Sequence, residues 1–366
     1  MSRMEPEEQR GAVRVPANPL DGVIEFLESV GFRLEEIAPA DDPVRARMSG
    51  HGLTLELDRA HHAAVELVIP AGGALAPSRH LGPGGLVVEV RAPWTLDVPR
   101  AAPAFGHTRF ADSPFHEGRA GLLYRDLLPS RLGGRWIASH IRAPRGGPVK
   151  DRVHHHSVRL QLIYCLSGES ELVYEDQGPP LAFREGDLVL QPPGLRHRVL
   201  SASAGFEVVE IASPAWHPTS IDHDLALPSP ERAPDRLRSG QRFLHAVGGQ
   251  APVQQLAPGV EARDLGLRAA TGGLASARAL RFQGAATAEI QEADDLRFLF
   301  VTEGSGLLHG GRTLTLATHD AVALPPGPFL LTGAPGLRVL EVTCTTGGPD
   351  LREGLVTSPP LPEGEP

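Results

Sequence analysis

Three consecutive histidines, His154, His155 and His156, are the residues of this sequence whose types and spacing are best suited to bind a metal ion. Side chains two positions apart share one face of a strand, so His154 and His156 would project together while His155 points away. Two imidazoles about 7 Å apart along a strand can chelate one ion if the strand curves. The spacing therefore predicts two ligands of one metal site.

A second string of residues predicts a third imidazole. It starts at Gly186, passes through the turn Pro192–Gly194 and ends at His197, with the pattern G(x5)PxG(x2)H. A Pro-Gly turn redirects the chain sharply, because proline fixes φ and glycine accepts positive φ. We expect this turn to aim His197 at the pair on the earlier strand.

The first string continues from His156 through Gln161 to Gly168 as HxHxxxxQxxxxxxG. Together the two strings resemble the two signature motifs of the cupin superfamily. The resemblance implies a double-stranded β-barrel with an interior metal ion held by His154, His156 and His197. Gln161 falls where most metal-binding cupins have a glutamate. It is expected to act as a weak fourth ligand, or as a catalytic residue that hydrogen-bonds a metal-bound water or the substrate.

Three neutral imidazoles leave a bound cation with its full charge and with open positions. This arrangement favours an oxygenase, expected to be a dioxygenase resembling the quercetinase type, that acts on a small metal-chelating substrate with dioxygen. Iron(II) is the expected cofactor, and nickel, manganese, copper, cobalt and zinc stay open. One alternative is an isomerase, decarboxylase or hydrolase that uses the same ion as a Lewis acid. Another is a non-enzymatic cupin that binds small molecules.

An internal repeat predicts a second barrel. Arg125-Asp126-Leu127 recurs as Arg263-Asp264-Leu265, and the Pro-Pro-Gly of the second motif recurs at Pro325. The four ligand positions of the repeated frame hold Ile290, Glu292, Arg297 and Leu330, and His319 replaces the motif glycine. We therefore expect a barrel without metal, with Ile290 and Leu330 facing inward, that packs against the first one.

The expected fold is mainly β, with two cupin jelly-roll barrels preceded by a small α+β segment. The predicted units are a disordered arm (1–18), the α+β segment (19–100), the metal-binding barrel (101–228), a linker (229–240), the second barrel (241–346) and a flexible tail (347–366).

The α+β segment is predicted to hold a helix from Asp21 to Gly31 and four strands. The four strands are expected at Arg33–Ile37, Leu53–Leu57, Val65–Ile69 and Leu86–Val90. Residues 26–57 resemble half of a glyoxalase-type (vicinal oxygen chelate) module. Its polar residues His51, Glu56, His61 and His62 are expected on the surface or in packing roles, because a half-module lacks the partner that completes a site.

Several polar residues near the motifs are weaker candidates for substrate orientation or proton transfer. They are Arg159, Tyr164, Tyr174, Gln191, Arg198 and Glu207. Gln191 has the best case, because alternation along its strand turns it into the barrel. Cys165 lies in an apolar strand and is expected to be a small buried hydrophobe.

Composition excludes some partners. The formal net charge of -9 provides no cationic surface for nucleic acid or anionic lipid. No stretch reaches the roughly 18 apolar residues that a membrane helix needs. With only two cysteines, the expected location is the cytoplasm. Barrel edges often pair across a two-fold axis, so a homodimer stays open.

Overall fold

The computed structural model describes residues 11–29, 32–50, 52–61, 66–71, 76–81, 87–92 and 96–347. These residues form a mainly β structure with two barrels, which confirms the predicted fold class. Residues 1–10 of the predicted arm and residues 348–366 of the predicted tail lie outside the described part. None of the helices in the described ranges has the length and apolarity to cross a membrane.

The N-terminal segment contains one helix and one twisted sheet. Its elements are β1 (Ala12–Pro16), α1 (Leu20–Ser29), β2 (Arg33–Ala38), β3 (Arg45–Gly50), β4 (Leu53–Asp58), β5 (Glu66–Pro70), β6 (Ser78–Leu81) and β7 (Val87–Arg91). The helix and the four expected strands are therefore present, and those ends that lie within the described residues differ by at most one residue.

The expectation of a disordered arm over residues 1–18 is wrong for Ala12–Pro16. This strand runs parallel to β4 and antiparallel to β5, so its main chain is paired on both sides. Val13 and Val15 pack on the core beneath the helix, and Arg14 forms an ion pair with Glu89. The strand is short and lies beside a charged stretch, which is why composition indicated an arm.

The elements of the first barrel follow. All but the first of them form two facing sheets, and the first joins a sheet of the second barrel. They are β8 (Gly106–Thr108), β9 (His116–Glu117), β10 (Leu123–Asp126), β11 (Ile137–Ala143), β12 (Gly147–Pro148), β13 (His154–His156), β14 (Leu160–Ser167), β15 (Glu169–Tyr174), β16 (Leu181–Arg184), β17 (Leu188–Leu190), β18 (His197–Ala202), β19 (Phe206–Ser213) and β20 (Thr219–Ile221).

The second barrel repeats this arrangement. Its elements are β21 (Leu237–Arg238), β22 (Gln241–Arg242), β23 (Leu244–Ala246), β24 (Val253–Ala257), β25 (Val260–Asp264), α2 (Leu267–Ala270), β26 (Ala275–Phe282), β27 (Ala286–Glu289), β28 (Leu296–Glu303), β29 (Ser305–Gly310), β30 (Arg312–Ala317), β31 (Ala321–Ala323), β32 (Leu330–Gly333) and β33 (Arg338–Cys344). Short 3-10 turns lie at Phe110–Asp112, Arg119–Gly121 and Gly248–Gln250.

The two barrels pack sheet against sheet. One large apolar core joins Leu160, Leu162 and Trp136 of the first barrel to Phe298 and Phe300 of the second. Each barrel also lends an edge strand to the other, because β8 pairs with β31 and β23 pairs with β17. The predicted packing of the second barrel against the first is present in the structure.

The N-terminal sheet is continuous with the first barrel. Strand β2 pairs with β20, which in turn pairs with β13, the strand of the three histidines. Through this register Ile37 faces Thr219, and Thr219 faces His156. The α+β segment is therefore joined to the barrel directly beside the predicted ligands.

Candidate metal centre

The three predicted ligands lie together inside the first barrel. His154 on β13 and His197 on β18 are direct cross-strand partners. The ring centroids are 4.3 Å apart for His154 and His197, 5.0 Å for His154 and His156, and 5.2 Å for His156 and His197. All three rings are buried, and one ligand atom from each lies within 4.8 Å of the others.

Hydrogen bonds fix the orientation of each ring. The Nδ1 atoms of His154 and His197 donate to the main-chain carbonyls of Arg152 and Leu195 at 2.7 and 2.9 Å. The Nδ1 of His156 lies 2.9 Å from the Thr219 hydroxyl. A carbonyl only accepts, so Nε2 carries the lone pair in His154 and His197. An imidazole that is anchored in this way is the usual form of a metal ligand.

Burial keeps these imidazoles neutral. It lowers the pKa of His154 to about 3, and it lowers the pKa of His156 and His197 as well. Only the neutral ring has a lone pair for a cation, so burial holds all three in the state that a metal site requires.

The predicted turn aims His197. Leu195 N–H donates to the Pro192 carbonyl at 3.1 Å, and Gly194 has φ +71°, a value that glycine adopts readily. Gly194 N–H then donates to the carbonyl of His156 at 3.1 Å, which ties the turn to the ligand strand. His155 lies on the opposite face near Arg196 and Asp222, as alternation predicts.

Gln161 lies on the inner face of β14 and is almost fully buried. Its Nε2 donates to the Glu210 carboxylate at 2.6 Å, while its Oε1 has no hydrogen-bond partner. The sequence analysis missed Glu210, although an acidic residue in the otherwise apolar strand FEVVEIAS is a readable signal. Burial raises the pKa of Glu210.

His217 is a second residue that sequence reasoning missed. Its ring lies 5.6 Å from that of His156, and its Nδ1 donates to the Pro214 carbonyl at 2.8 Å. Its buried Nε2, which carries the lone pair, has no partner. The residue lies in the connection between β19 and β20, where no strand period marks it.

A match to a family model supports the architecture of the first barrel. Residues 141–211, which run from β11 to β19, match the family model described as Cupin domain. The first barrel is a cupin domain. No curated protein matches the chain by sequence.

Solved structures with this architecture share little sequence with the chain. Oxalate decarboxylase from Lactobacillus farciminis, as a formate complex, is 12% identical with a TM-score of 0.50, covering 66% of this chain and 87% of that one. Salicylate 1,2-dioxygenase from Pseudoaminobacter salicylatoxidans, in adducts with gentisate, is 16% identical with a TM-score of 0.48, covering 67% and 82%. Oxalate decarboxylase from Bacillus subtilis is 13% identical with a TM-score of 0.49, covering 68% and 77%. At 12% identity the likeness to the Lactobacillus farciminis enzyme shows the fold alone.

The weaker candidates divide between the inside and the outside of the cupin barrel. Gln191 turns inward as predicted, and its Nε2 donates to the hydroxyl of Tyr174, whose ring lies 5.6 Å from His197. Tyr164 packs in the core between the barrels, and Arg159 binds Asp295 of the second barrel.

Three further residues named in the sequence analysis are Cys165, Arg198 and Glu56. Cys165 is a buried apolar packing residue, and burial raises its pKa to about 12. Arg198 has a buried Nε without a hydrogen-bond partner. Glu56 is held by Arg91 at 2.7 Å, while His51 and His62 lie outside the described residues.

A second group of ligand-type side chains lies outside the cupin barrel. His140, Glu207 and His319 meet where the two barrels touch. Arg125 donates to Nδ1 of His140 at 3.2 Å, and Nε2 of His140 lies 2.5 Å from Glu207. Arg142 also donates to Glu207 at 2.9 Å. Two arginines already neutralise this group, so we interpret it as an interdomain hydrogen-bond chain.

The second barrel has Arg297 where the cupin barrel has Gln161. Its guanidinium donates to the main-chain carbonyls of Gln291, Pro325 and Gly327 at 2.9, 2.8 and 2.6 Å. Ile290 faces the core as predicted, and Glu292 is mostly exposed. Within the described residues, no group of three ligand-type side chains lies inside this barrel.

The predicted inward orientation of Leu330 is wrong. Leu330 is 41% exposed, and its neighbour Leu331 fills the core instead. The turn before it has a different shape, because Gly327 has φ +123° and is followed by Pro328, whereas Gly194 has φ +71°. This difference shifts the inward face by one residue. His319 has φ +69° and takes the left-handed position that Gly186 has in the cupin barrel.

Proposed function

We propose that this protein is a metal-dependent cupin oxygenase, a dioxygenase with iron(II) in the first barrel, that acts on a small organic substrate able to chelate the metal. The observation that carries the proposal is the convergence of three neutral, anchored imidazoles on one point. Metal–imidazole bonds of about 2.1 Å bring ligand nitrogens roughly 3 Å apart, which small ring movements achieve from the separation of at most 4.8 Å.

The donor set fits a divalent transition-metal ion. Imidazole suits iron, nickel, copper and zinc alike, so the ligands define a class of ion. Three protein ligands leave positions open, unlike the closed four-ligand sites that only support a fold. A bound iron(II) ion would supply Lewis acidity and a place where a chelating substrate meets dioxygen.

The unpaired acceptors of the barrel favour a substrate with hydroxyl groups. Glu210 and the Pro214 carbonyl accept hydrogen bonds, so the direction of their bonds is fixed. Gln161 Oε1 and His217 Nε2 are therefore buried acceptors that lack a donor. A buried acceptor without a donor is unfavourable by about 1–3 kcal/mol. A phenol or an enol would bring the missing donor, with His217 orienting the hydroxyl.

Charge supports the same class of substrate. Arg119 influences the pKa of His154, but its guanidinium is committed to Asp151 at 2.6 Å. Attraction for an anionic substrate oxygen would therefore come from the ion. Phenols, catechols and enolisable dicarbonyl compounds combine a weakly acidic hydroxyl with a second chelating oxygen, which matches this arrangement.

An oxygen-uptake assay tests the proposal. Iron(II)-loaded protein is mixed with catechols, other phenols and 1,3-dicarbonyl compounds, and oxygen and substrate are followed together. We expect stoichiometric oxygen uptake that is abolished in His156→Ala and retained in His155→Ala. Of these two neighbouring residues, His156 faces the centre and His155 points away from it. Consumption of substrate without oxygen uptake would instead indicate an isomerase, decarboxylase or hydrolase. Saturable binding without turnover would indicate a binding protein.

A further inference from the structure

The cupin barrel contains a buried carboxylate one strand away from the position where its motif would place a glutamate. Glu210 lies on β19, in register with Ile163 on one side and Ser139 on the other. It accepts a hydrogen bond from Gln161, whose own cross-strand partner is Ala212. Glu210 and Gln161 therefore point to the same face, toward the interior.

The second barrel shows what this position contains when no cation site is built. Glu341 on β33 has the same register as Glu210, since it faces Leu299 on one side and Arg278 on the other. Arg278 donates to Glu341, which also accepts a hydrogen bond from the main chain of Gln291 at 2.7 Å. The acid is therefore neutralised by an arginine from the neighbouring strand.

A second arginine lies beside this glutamate. Arg297 is the register counterpart of Gln161, because Arg297 faces Thr343 as Gln161 faces Ala212. The interior of the second barrel thus contains two guanidinium groups near Glu341, and one of them, Arg297, also lies 3.4 Å from the mostly exposed Glu292. Positive charge is supplied there by the chain itself.

Both arginines are replaced in the cupin barrel. Ser139 stands at the position of Arg278, and Gln161 stands at the position of Arg297. The described side chains give Glu210 a single hydrogen-bond partner, the neutral amide of Gln161. Arg119 acts on Glu210 only through space, since it is bonded to Asp151. A buried carboxyl group stays ionised only when a positive charge lies near it, and otherwise it takes up a proton.

Asp151 lies 3.4 Å from Nδ1 of His154, but its charge is paired with Arg119. We propose that Glu210 supplies a further, unpaired negative charge to the centre formed by His154, His156 and His197, and that it orients Gln161 so that the carbonyl oxygen stays free. The occupant is a divalent cation, which takes the place of the two arginines of the second barrel. This inference rests on the metal site of the proposed function. The glutamate charge that Gln161 lacks is thereby restored from the neighbouring strand.

The test uses the full chain, stripped of metal and titrated with Co²⁺, with the visible absorption band and chelator competition as readouts. Glu210→Gln should weaken Co²⁺ binding by about 10- to 100-fold, as loss of a partner of a ligand does elsewhere. Glu341→Gln, the same change at the same register of the second barrel, should leave the affinity within about threefold of wild type. Circular dichroism confirms that each variant is folded.

An exchange of the two side chains separates charge from packing. The double variant Gln161→Glu with Glu210→Gln keeps one acid and one amide in contact, so it should restore the affinity that Glu210→Gln loses. Ser139→Arg, which introduces the arginine of the second barrel, should abolish Co²⁺ binding in a folded chain.

Wild-type affinity in Glu210→Gln, or an exchange variant as weak as the single variant, would overturn the inference while the three-histidine site stands. Failure of the proposed function looks different, because the wild-type chain would then bind Co²⁺ no better than His156→Ala.

Discussion

At the scale of single residues, the direction of each hydrogen bond decides what an imidazole of the cupin barrel can do. His154, His197 and His217 all donate from Nδ1 to a main-chain carbonyl, so all three present a lone pair at Nε2. The first two converge with His156, whereas His217 lies outside that group of mutually close ligand atoms. The same hydrogen bond from Nδ1 therefore serves metal ligands in two cases and a residue proposed to orient the substrate in the third. A substitution of His217 can separate these roles.

Replacement of His217 should impair turnover without removing the metal. In His217→Gln we expect Co²⁺ affinity within about threefold of wild type and a kcat/KM about 100-fold lower, because a positioned proton acceptor contributes roughly that much. Cobalt titration and oxygen uptake, with a substrate from the phenol and dicarbonyl panel, measure the two quantities. Loss of Co²⁺ binding equal to that of His156→Ala would instead make His217 a ligand.

At the scale of elements, the same strand position serves opposite purposes in the two barrels. Gln161 on β14 leaves an oxygen unpaired, while Arg297 on β28 joins the Pro325–Gly327 turn to Gln291 in the connection after β27. The first arrangement leaves a hydrogen-bond acceptor for a bound group. The second fills the barrel and stabilises it.

Arg297 should therefore matter for stability and not for metal binding. Arg297→Met leaves several buried carbonyls without donors, and we expect the free energy of unfolding to fall by about 3–5 kcal/mol. Arg281→Met, at an exposed position of the same barrel, should change it by no more than about 0.5 kcal/mol. Urea unfolding measures both, and equal losses in the two variants would contradict the assigned role.

Features that depend on a local pattern of residues can be predicted from the sequence. Contacts between strands that are far apart in the sequence cannot. His154, His156 and His197 follow from strand alternation and one Pro-Gly turn, both of which are written within a few residues. Glu210 reaches Gln161 from a strand far along the chain, so no local pattern relates them. The inward orientation of Leu330 is predicted from motif spacing alone, and the different turn at Gly327 shifts the inward face of the strand by one residue. The predicted domain limits and the glyoxalase resemblance stay predictions.

At the scale of the whole molecule, Asp295 joins the two barrels. This buried carboxylate of the second barrel accepts hydrogen bonds from Arg135, Trp136 and Arg159 of the first, at distances from 2.5 to 2.9 Å. Trp136 also belongs to the apolar core between the two barrels. The second barrel thereby supports the sheet that contains Gln161 and Glu210.

Neutralising this carboxylate should destabilise the whole chain. Asp295→Asn leaves the buried Arg159 and the largely buried Arg135 without their counter-charge, and we expect a loss of about 3–5 kcal/mol in the free energy of unfolding. Asp294→Asn alters the exposed neighbour that bonds Thr346 and should change it by less than about 0.5 kcal/mol. Denaturant titration compares the two, and a loss confined below about 1 kcal/mol in Asp295→Asn would refute this role.

The interdomain chain at His140 should make stability fall in acid. Burial lowers the pKa of His140 to about 4. Burial alone would raise the pKa of Glu207, but hydrogen bonds from His140 and Arg142 outweigh it and lower that pKa to about 2. Both groups bind protons more readily in the unfolded chain. Their stabilisation is therefore lost as the pH falls, from about 6.5 to 4 for His140 and from about 4.5 to 2 for Glu207.

The contribution of His140 can be isolated with His140→Gln, because the other buried histidines titrate in both proteins. Between pH 6.5 and 4 the free energy of unfolding of wild type should fall more steeply than that of the variant, by about 1.4 kcal/mol per pH unit for one proton. Thermal and urea unfolding across this range provide the slopes. Parallel slopes would show that His140 is not held neutral at the interface.

The most direct test of the metal centre is the metal content of untagged protein, measured by plasma mass spectrometry after growth in iron-supplemented medium and purification without a metal-affinity resin. We predict about one transition-metal ion per wild-type chain and per His155→Ala chain, and close to none in His156→Ala, because His155 points away from the centre while His156 faces it. Equal metal content in His156→Ala and wild type would contradict a site built on these three histidines.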